Sequence, residues 1–295
     1  MLDAVRFETD LVRALLQEQH PDLAGLELRE VHGGWDNQQW RLGKHLAVRL
    51  PRTERAPELL HREQTWLLRF AGRLPLPTPV PVHAGTPSDL FAHTWNIVRW
   101  VHGEPADRAP ISEPDSAQLL AGFLTALHQQ APPEAPVNPP RGLPLDQVGP
   151  VDGHFEPITD APQVGTLREL WSAAVAAPAW AGEPLWLHGD LHPANVVVQD
   201  GRLAGVLDFG DLCAGDPAWD LAAAWLLLPA GAAGAFFDAY AAADEATITR
   251  ARGWAILRAL VLIQIGANGR LGRAGGKPTW EPAGYAALDR IVTGA

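Results

Sequence analysis

The apolar residues of this 295-residue chain change their spacing near Gly103, and that change limits the fold more than any other feature. Before it, short strand-like pieces recur at residues 26–31, 38–42, 46–50 and 94–101. Gly33-Gly34 and Gly43-Lys44 supply turn chemistry between the first three, which therefore read as an antiparallel meander. An amphipathic helix at 8–20 precedes them, with Leu11, Val12, Leu15 and Leu16 on one side. A second helix starts at Pro57, tolerated in a first helical turn, and runs to about Phe70. Pro75, Pro77, Pro79 and Pro81 then force an extended approach to the next strands.

After Gly103 the period becomes helical. Residues 115–129 place Leu119, Leu120, Phe123, Leu124 and Leu127 at helical spacing, and 167–177 and most of 217–292 follow suit. Only 185–187, 196–198 and 203–207 interrupt them as short strands. Nine prolines between residues 132 and 162 predict a long irregular connection. The expected architecture is α+β and bilobal: a β-rich N-terminal lobe at 1–101, a hinge at about 99–104, and a mostly helical lobe at 102–295.

Composition removes several classes of function. Acidic residues number 34 against 23 Lys and Arg, a net charge of -11 that argues against general nucleic-acid binding. Cys213 is the single cysteine, so neither an intrachain disulfide nor a Cys-based zinc site is available. Asp3, Glu8 and Asp10 break up the N-terminus, which does not read as a signal peptide. The longest uncharged apolar run, 221–237, is cut by Pro229, Gly231 and Gly234 and reads as two packed helices rather than a membrane span. The expected location is the cytoplasm, with neither nucleic acid nor membrane as partner and the oligomeric state open. Lys44 and Lys277 are the only lysines, so sites that usually employ lysine must turn to arginine.

The densest chemical signal is His188-Gly-Asp190-Leu-His-Pro-Ala-Asn195, then apolar Val196-Val-Val and Asp208-Phe209-Gly210. Loops at the ends of short strands project such side chains rigidly. Asp190 can accept a proton from an attacking hydroxyl. Asn195 and Asp208 offer the hard oxygens that suit Mg²⁺, which takes its other ligands from water and phosphates. Phosphoryl transfer needs this combination of positioning and cationic charge. An H-x-D-x-H metal-hydrolase reading is weak, because Gly189 and Pro193 prevent a helix that would gather His188 and His192 on one face.

H-x-D-x-x-x-x-N followed by D-F-G is the signature of protein kinases. The variant HGDLHPAN, together with Asp216-Pro217-Ala218-Trp219-Asp220-Leu221, resembles the aminoglycoside phosphotransferase and choline-kinase-like group, small-molecule kinases on a protein-kinase-like fold. The resemblance spans roughly residues 26–228 and implies Asp190 as catalytic base and Asn195 and Asp208 as metal ligands. It also implies that Asp220 braces the catalytic loop through its backbone. His188 reads as a structural buttress of that loop, and Asp216, before Pro217, as a helix N-cap. Asp211 is either substrate-facing or merely solvated.

A separate argument reaches the nucleotide. Leu59, Leu60, Trp66 and Leu67 surround Glu63 at helical spacing, so Glu63 lies on an apolar face and needs a cationic partner. Arg49, on the strand Ala47-Val48-Arg49-Leu50, is the natural candidate. In kinases a strand lysine paired with a helix glutamate holds the nucleotide phosphates, and arginine can serve both partners through its fork; a plain structural salt bridge is the alternative. Gly33, Gly34 and Asn37 form the corresponding loop without a G-x-G-x-x-G pattern, and Trp100 and Val101 would offer backbone groups to a purine. The expected activity is transfer of the γ-phosphoryl group of ATP or GTP, with Mg²⁺, to a hydroxyl of a small acceptor. Six carboxylates against one arginine between Asp190 and Asp220 hint at a cationic, aminoglycoside-like one. The competing expectation is a non-catalytic nucleotide-binding module.

Overall fold

In the computed structural model, residues 6–138, 141 and 143–294 are described; part of the proline-rich connection at 132–162 lies outside them. The chain forms two compact units. The first comprises residues 1–73, 77–101 and 206–211, the second 74–76, 102–205 and 212–295. Residues 206–211 thus pack with the first unit, although linear reading groups them with the second lobe.

In the first unit, α1 (Thr9–Gln19) precedes β1 (Leu28–Val31), β2 (Asn37–Leu42) and β3 (Leu46–Pro51). Then come α2 (Ala56–Trp66), a 3-10 turn (Leu67–Phe70), β4 (Pro81–Gly85) and β5 (Trp95–Arg99). The strands make one antiparallel sheet in the order β1-β2-β3-β5-β4, with Gln39 opposite Arg49 and Trp40 opposite Val48. Side chains alternate across a strand, so Val48 and Leu50 join Trp40, Leu42, Trp95 and Ile97 in a core with Val12, Leu15 and Leu16 of α1. Arg49, out of phase with them, is turned to Glu63 of α2. The meander was legible in the sequence; β4 was not, because the proline at its start and the exposed residues along it hide the alternation.

In the second unit, β6 (Glu104–Pro105) and α3 (Ser116–Leu127) lead into the proline-rich region. That region holds short 3-10 turns and α4 (Asp152–Phe155), so it is less irregular than its prolines suggest. Next come α5 (Val164–Ala176), β7 (Leu185–Leu187), β8 (Val196–Gln199), β9 (Arg202–Val206) and β10 (Cys213–Gly215). Two small sheets result, β6-β8-β9 and β10-β7. The remainder is helical: α6 (Ala218–Leu221), α7 (Ala223–Leu227), α8 (Ala233–Tyr240), α9 (Glu245–Arg270) and α10 (Trp280–Thr293). Helix α9 begins at Asp244, whose side chain accepts the Thr247 amide at 2.7 Å. A Cβ on Gly266 would lie 2.1 Å from the backbone nitrogen of Glu281, so glycine there lets α10 cross close against α9. No described helix is long and apolar enough to cross a membrane.

Candidate active site

In the second unit the loop between β7 and β8 carries Asp190, and its backbone is fixed from several directions. The buried Asp220 carboxylate of α6 accepts the amides of His188 (2.6 Å) and Gly189 (3.0 Å). Trp219 Nε1 donates to the Gly189 carbonyl at 2.8 Å. Arg258 of α9 donates to the carbonyls of Leu191 and, at 3.1 Å, Trp219. Gly189 itself has φ 80°, a conformation that glycine adopts without strain. The His188 ring accepts the Asp190 amide through Nδ1 (3.1 Å), and the His192 ring accepts the Ala194 amide (3.2 Å). Both histidines serve the loop backbone, which removes the metal-ligand reading of that pair.

The Asp190 side chain keeps about a quarter of its surface exposed (27%). Asn195 Nδ2 donates to its backbone carbonyl (3.0 Å) and to Oδ2 (3.1 Å). His192 Nε2 stands 3.5 Å from the same Oδ2, and Arg141 Nη1 donates to Oδ1 at 2.5 Å. Burial opposes charge on Asp190, but His192, Arg141 and Arg258 outweigh it and hold the carboxyl well below its usual range. Burial in turn pushes Arg258 down to about 10, against the pull of Asp190 and Asp220.

Behind the loop lies a second layer. His128 Nε2 sits 3.4 Å from Asp220 Oδ2, and its Nδ1 meets the Tyr240 hydroxyl at 2.8 Å. Burial disfavours the Asp220 charge, yet His128, His188 and the loop amide hold its pKa below the ordinary value. Asp216 accepts the Ala218 amide at 2.9 Å, as expected of a helix-start residue. It also forms a buried two-point pair with Arg250 at 2.8 and 3.2 Å.

In the first unit Arg49 Nη1 donates to Glu63 Oε2 at 2.5 Å, and Glu63 is fully buried. The other Glu63 oxygen accepts the Phe209 amide at 3.0 Å, so one carboxylate ties strand, helix and the Asp-Phe-Gly turn together. Arg49 Nη2 lies 3.9 Å from Asp208 Oδ1. Burial favours a neutral Arg49, but Glu63 and Asp208 outweigh it and raise its pKa. Asp208 has φ 61°, uncommon for a residue with a Cβ, and its side chain remains 48% exposed.

Loop 32–36 joins β1 to β2. Asp36 pairs with Arg55 at 2.6 and 3.0 Å and accepts the Thr53 hydroxyl at 2.7 Å; Arg52 donates to the Gly34 and Trp35 carbonyls. A Cβ on Gly34 would sit 2.2 Å from the Asn37 carbonyl oxygen, while Asn37 Oδ1 is buried with no hydrogen-bond partner among the described residues. Trp100 donates its amide to the His45 carbonyl at 2.8 Å, which removes that amide from contact with a base; Val101 beside it is buried. Asp211 is buried, at 5% exposure, so the solvated alternative for it falls.

Each unit carries oxygen donors of the hard kind that suits Mg²⁺. In the second, Asn195 engages its amide nitrogen with Asp190; in the first, Asp208 is a half-exposed carboxylate with φ 61°. Among the described residues no group of three His, Cys, Asp or Glu forms a closed metal cage.

Several residues here escaped sequence reasoning. Arg141, Arg258, His128 and Tyr240 lie far along the chain from the loop they support, His128 being 92 positions from Asp220, and no local pattern marks them. The one available signal was His128 closing an apolar helix. A cavity of about 480 Å³, lined by residues including Leu145, Trp180, Asp216 and Arg250, borders neither Asp190 nor Asn195.

The chain is similar to several known phosphotransferases. Viomycin phosphotransferase of Streptomyces vinaceus is 29% identical over 199 residues, covering 62% of this chain and 67% of that enzyme. An aminoglycoside 3'-phosphotransferase of Escherichia coli is 27% identical over 170 residues, 54% of this chain and 59% of the relative. Among solved structures, the GDP complex of aminoglycoside 2'-phosphotransferase-IIIa superposes with a TM-score of 0.70 at 18% identity, covering 98% of this chain and 100% of that one. Macrolide 2'-phosphotransferase MphH from Brachybacterium faecium gives 0.58 at 22% identity, with 93% and 97% covered. These two establish the α+β, kinase-like fold. The phosphotransferase enzyme family model matches residues 27–260, which include β2 and β3, the Arg49–Glu63 pair, the 188–195 loop, the Asp208–Gly210 turn and most of α9, and the chain belongs to that family.

Proposed function

We propose that this protein transfers the γ-phosphoryl group of ATP or GTP to a hydroxyl of a small, antibiotic-like molecule. The observation that carries the reading is the Asp190–Asn195 pair, a partly exposed carboxylate oriented by an amide on a loop whose backbone is tied to buried Asp220. Asp190 orients the acceptor hydroxyl and takes its proton as the oxygen bonds to the γ-phosphorus. The electron pair of the bridging P–O bond leaves with the nucleoside diphosphate. Arg49, fixed by Glu63, presents positive charge to the nucleotide phosphates, and the loop with Gly33, Gly34 and Asn37 covers them. Val101 and the Trp100 carbonyl are the connector groups left for a purine. Asn195 Oδ1 and the Asp208 carboxylate would hold Mg²⁺, which would supply positive charge to the phosphate oxygens. His188, Asp216 and Asp220 are supports.

Two segments supply acceptor walls in this reading. Trp280, at the start of α10, places its ring 4.6 Å from that of His192, and Arg141 reaches Asp190 from the proline-rich connection. The relatives named above act, by name, on viomycin, aminoglycosides and macrolides, and compounds of these classes belong in the first panel, beside small amino alcohols. Nucleotide consumption is measured with ATP and with GTP, and products are identified by mass spectrometry. Phosphorylated acceptor supports the reading. Mg-nucleotide binding without consumption across the panel rejects it in favour of a non-catalytic nucleotide-binding module.

A further inference from the structure

His192 meets two partners with opposite demands, and together they fix its ring. Its Nδ1 accepts the Ala194 amide at 3.2 Å, which closes the start of the 3-10 turn Pro193–Asn195. A nitrogen that accepts a backbone N–H carries no proton, so the ring proton sits on Nε2. Nε2 stands 3.5 Å from Asp190 Oδ2 and therefore turns an N–H toward that carboxylate. The ring has little room to turn elsewhere: its side chain is 11% exposed, and the Trp280 ring lies 4.6 Å from it at 58°. Asp190 gains from such a contact, because the terminal torsion of an aspartate is broad. Asn195 reaches Oδ2 at 3.1 Å and Arg141 reaches Oδ1 at 2.5 Å, one donor to each oxygen. His192 brings a second donor to Oδ2. Two donors on one oxygen settle the plane of the carboxylate as well as the place of that oxygen.

We propose that His192 is a positioning residue for the reaction: its Nε2–H holds the Asp190 carboxylate in the plane from which it takes the acceptor proton. The proposal rests on the phosphoryl-transfer reading. A carboxylate that swings out of that plane leaves acceptor binding intact but meets the hydroxyl in the productive geometry less often. The penalty therefore falls on kcat and leaves both KM values near those of the parent. A purely structural His192 would behave differently. Its one task would then be the Ala194 amide, a cap that other short polar side chains also supply. The two roles reside in different ring nitrogens, so substitution separates them. Asparagine places an oxygen near the position of Nδ1, and glutamine places an amide nitrogen near that of Nε2.

The test uses the full chain with Mg-nucleotide and an acceptor that it phosphorylates. His192→Ala should lower kcat about tenfold, the scale of one hydrogen bond to a charged group. His192→Gln should recover most of that loss, and His192→Asn should recover little. An unchanged kcat in His192→Ala, a loss carried by KM, or rescue by asparagine that equals or exceeds rescue by glutamine overturns the proposal. A second measurement needs no turnover: proton–nitrogen correlation NMR of the histidine rings. An Nε2–H tautomer whose Nε2 signal moves in Asp190→Ala supports the contact. An Nδ1–H ring, or an Nε2 signal indifferent to Asp190→Ala, overturns it. If the parent consumes no nucleotide with any acceptor of the panel, the phosphoryl-transfer reading fails and the kinetic role fails with it, while the spectrum still decides whether His192 donates to Asp190.

Discussion

The Asp208 region and the Asp190 loop both display carboxylates, yet they are built on different principles. In the first unit, side chains do the holding: one buried carboxylate, Glu63, is shared between Arg49 and the Phe209 amide. In the second unit the chain itself is held, because Asp220, Trp219 and Arg258 grip the backbone of residues 188–191 and leave about a quarter of the Asp190 side chain exposed. A shared ion pair concentrates the stability of its region in a single contact. A gripped backbone spreads it over several hydrogen bonds, and any one of them can be lost more cheaply.

The largest expected effect tests the chemistry rather than the scaffold. Asp190→Asn should lower turnover by about 10³-fold while nucleotide affinity, measured by calorimetry, stays close to that of the parent. Turnover within a few-fold of the parent would remove Asp190 as base. Next, Glu63→Ala leaves a buried guanidinium with only the half-exposed Asp208 at 3.9 Å and should cost about 3–5 kcal/mol in denaturant unfolding. Replacing Arg49 and Glu63 together by apolar residues should cost less, and equal losses would show that the pair does not act as a unit.

Asp220→Asn should be milder, about 1–3 kcal/mol, because one acceptor oxygen remains and only one of the two loop amides loses its partner. This variant also carries a pH signature. The folded pKa of Asp220 is depressed, so its contribution is present above the unfolded carboxylate pKa and is lost as pH falls through the folded value. The acid limb of stability against pH should therefore flatten in Asp220→Asn, and an unaltered limb would contradict the network. The smallest global effect belongs to Gly34→Ala. A Cβ there meets the Asn37 carbonyl, so the loop must shift at a cost of about 1–2 kcal/mol. The nucleotide KM should rise more than kcat falls; an unchanged KM would detach this loop from nucleotide binding.

Legibility followed the range of the interactions. The β meander, the helical second half and the segment His188–Asn195 stand out because their signals are local: period, turn chemistry and motif. Glu63 could be placed on an apolar face because helical spacing is a local property too. The strand β4 and the contact of Arg141 with Asp190 could not be anticipated, since each depends on residues distant in sequence. Arg141 shows the limit well. Among nine prolines it looks like a solvated loop residue, yet the fold puts its guanidinium on the Asp190 carboxylate.

By itself, the sequence determined an α+β chain with a β-rich first part and a helical second part, the Asp190–Asn195 and Asp208–Gly210 motifs, and an arginine on β3 facing a helix glutamate, because residue type and spacing encode short-range geometry directly. Only the tertiary structure decided which groups hold those motifs in place. It assigned residues 206–211 to the first unit, turned both histidines of the motif to backbone amides and buried Asp211. Such contacts are chosen when burial forces polar groups, however far apart in the chain, to find partners, and a linear pattern holds no record of that choice.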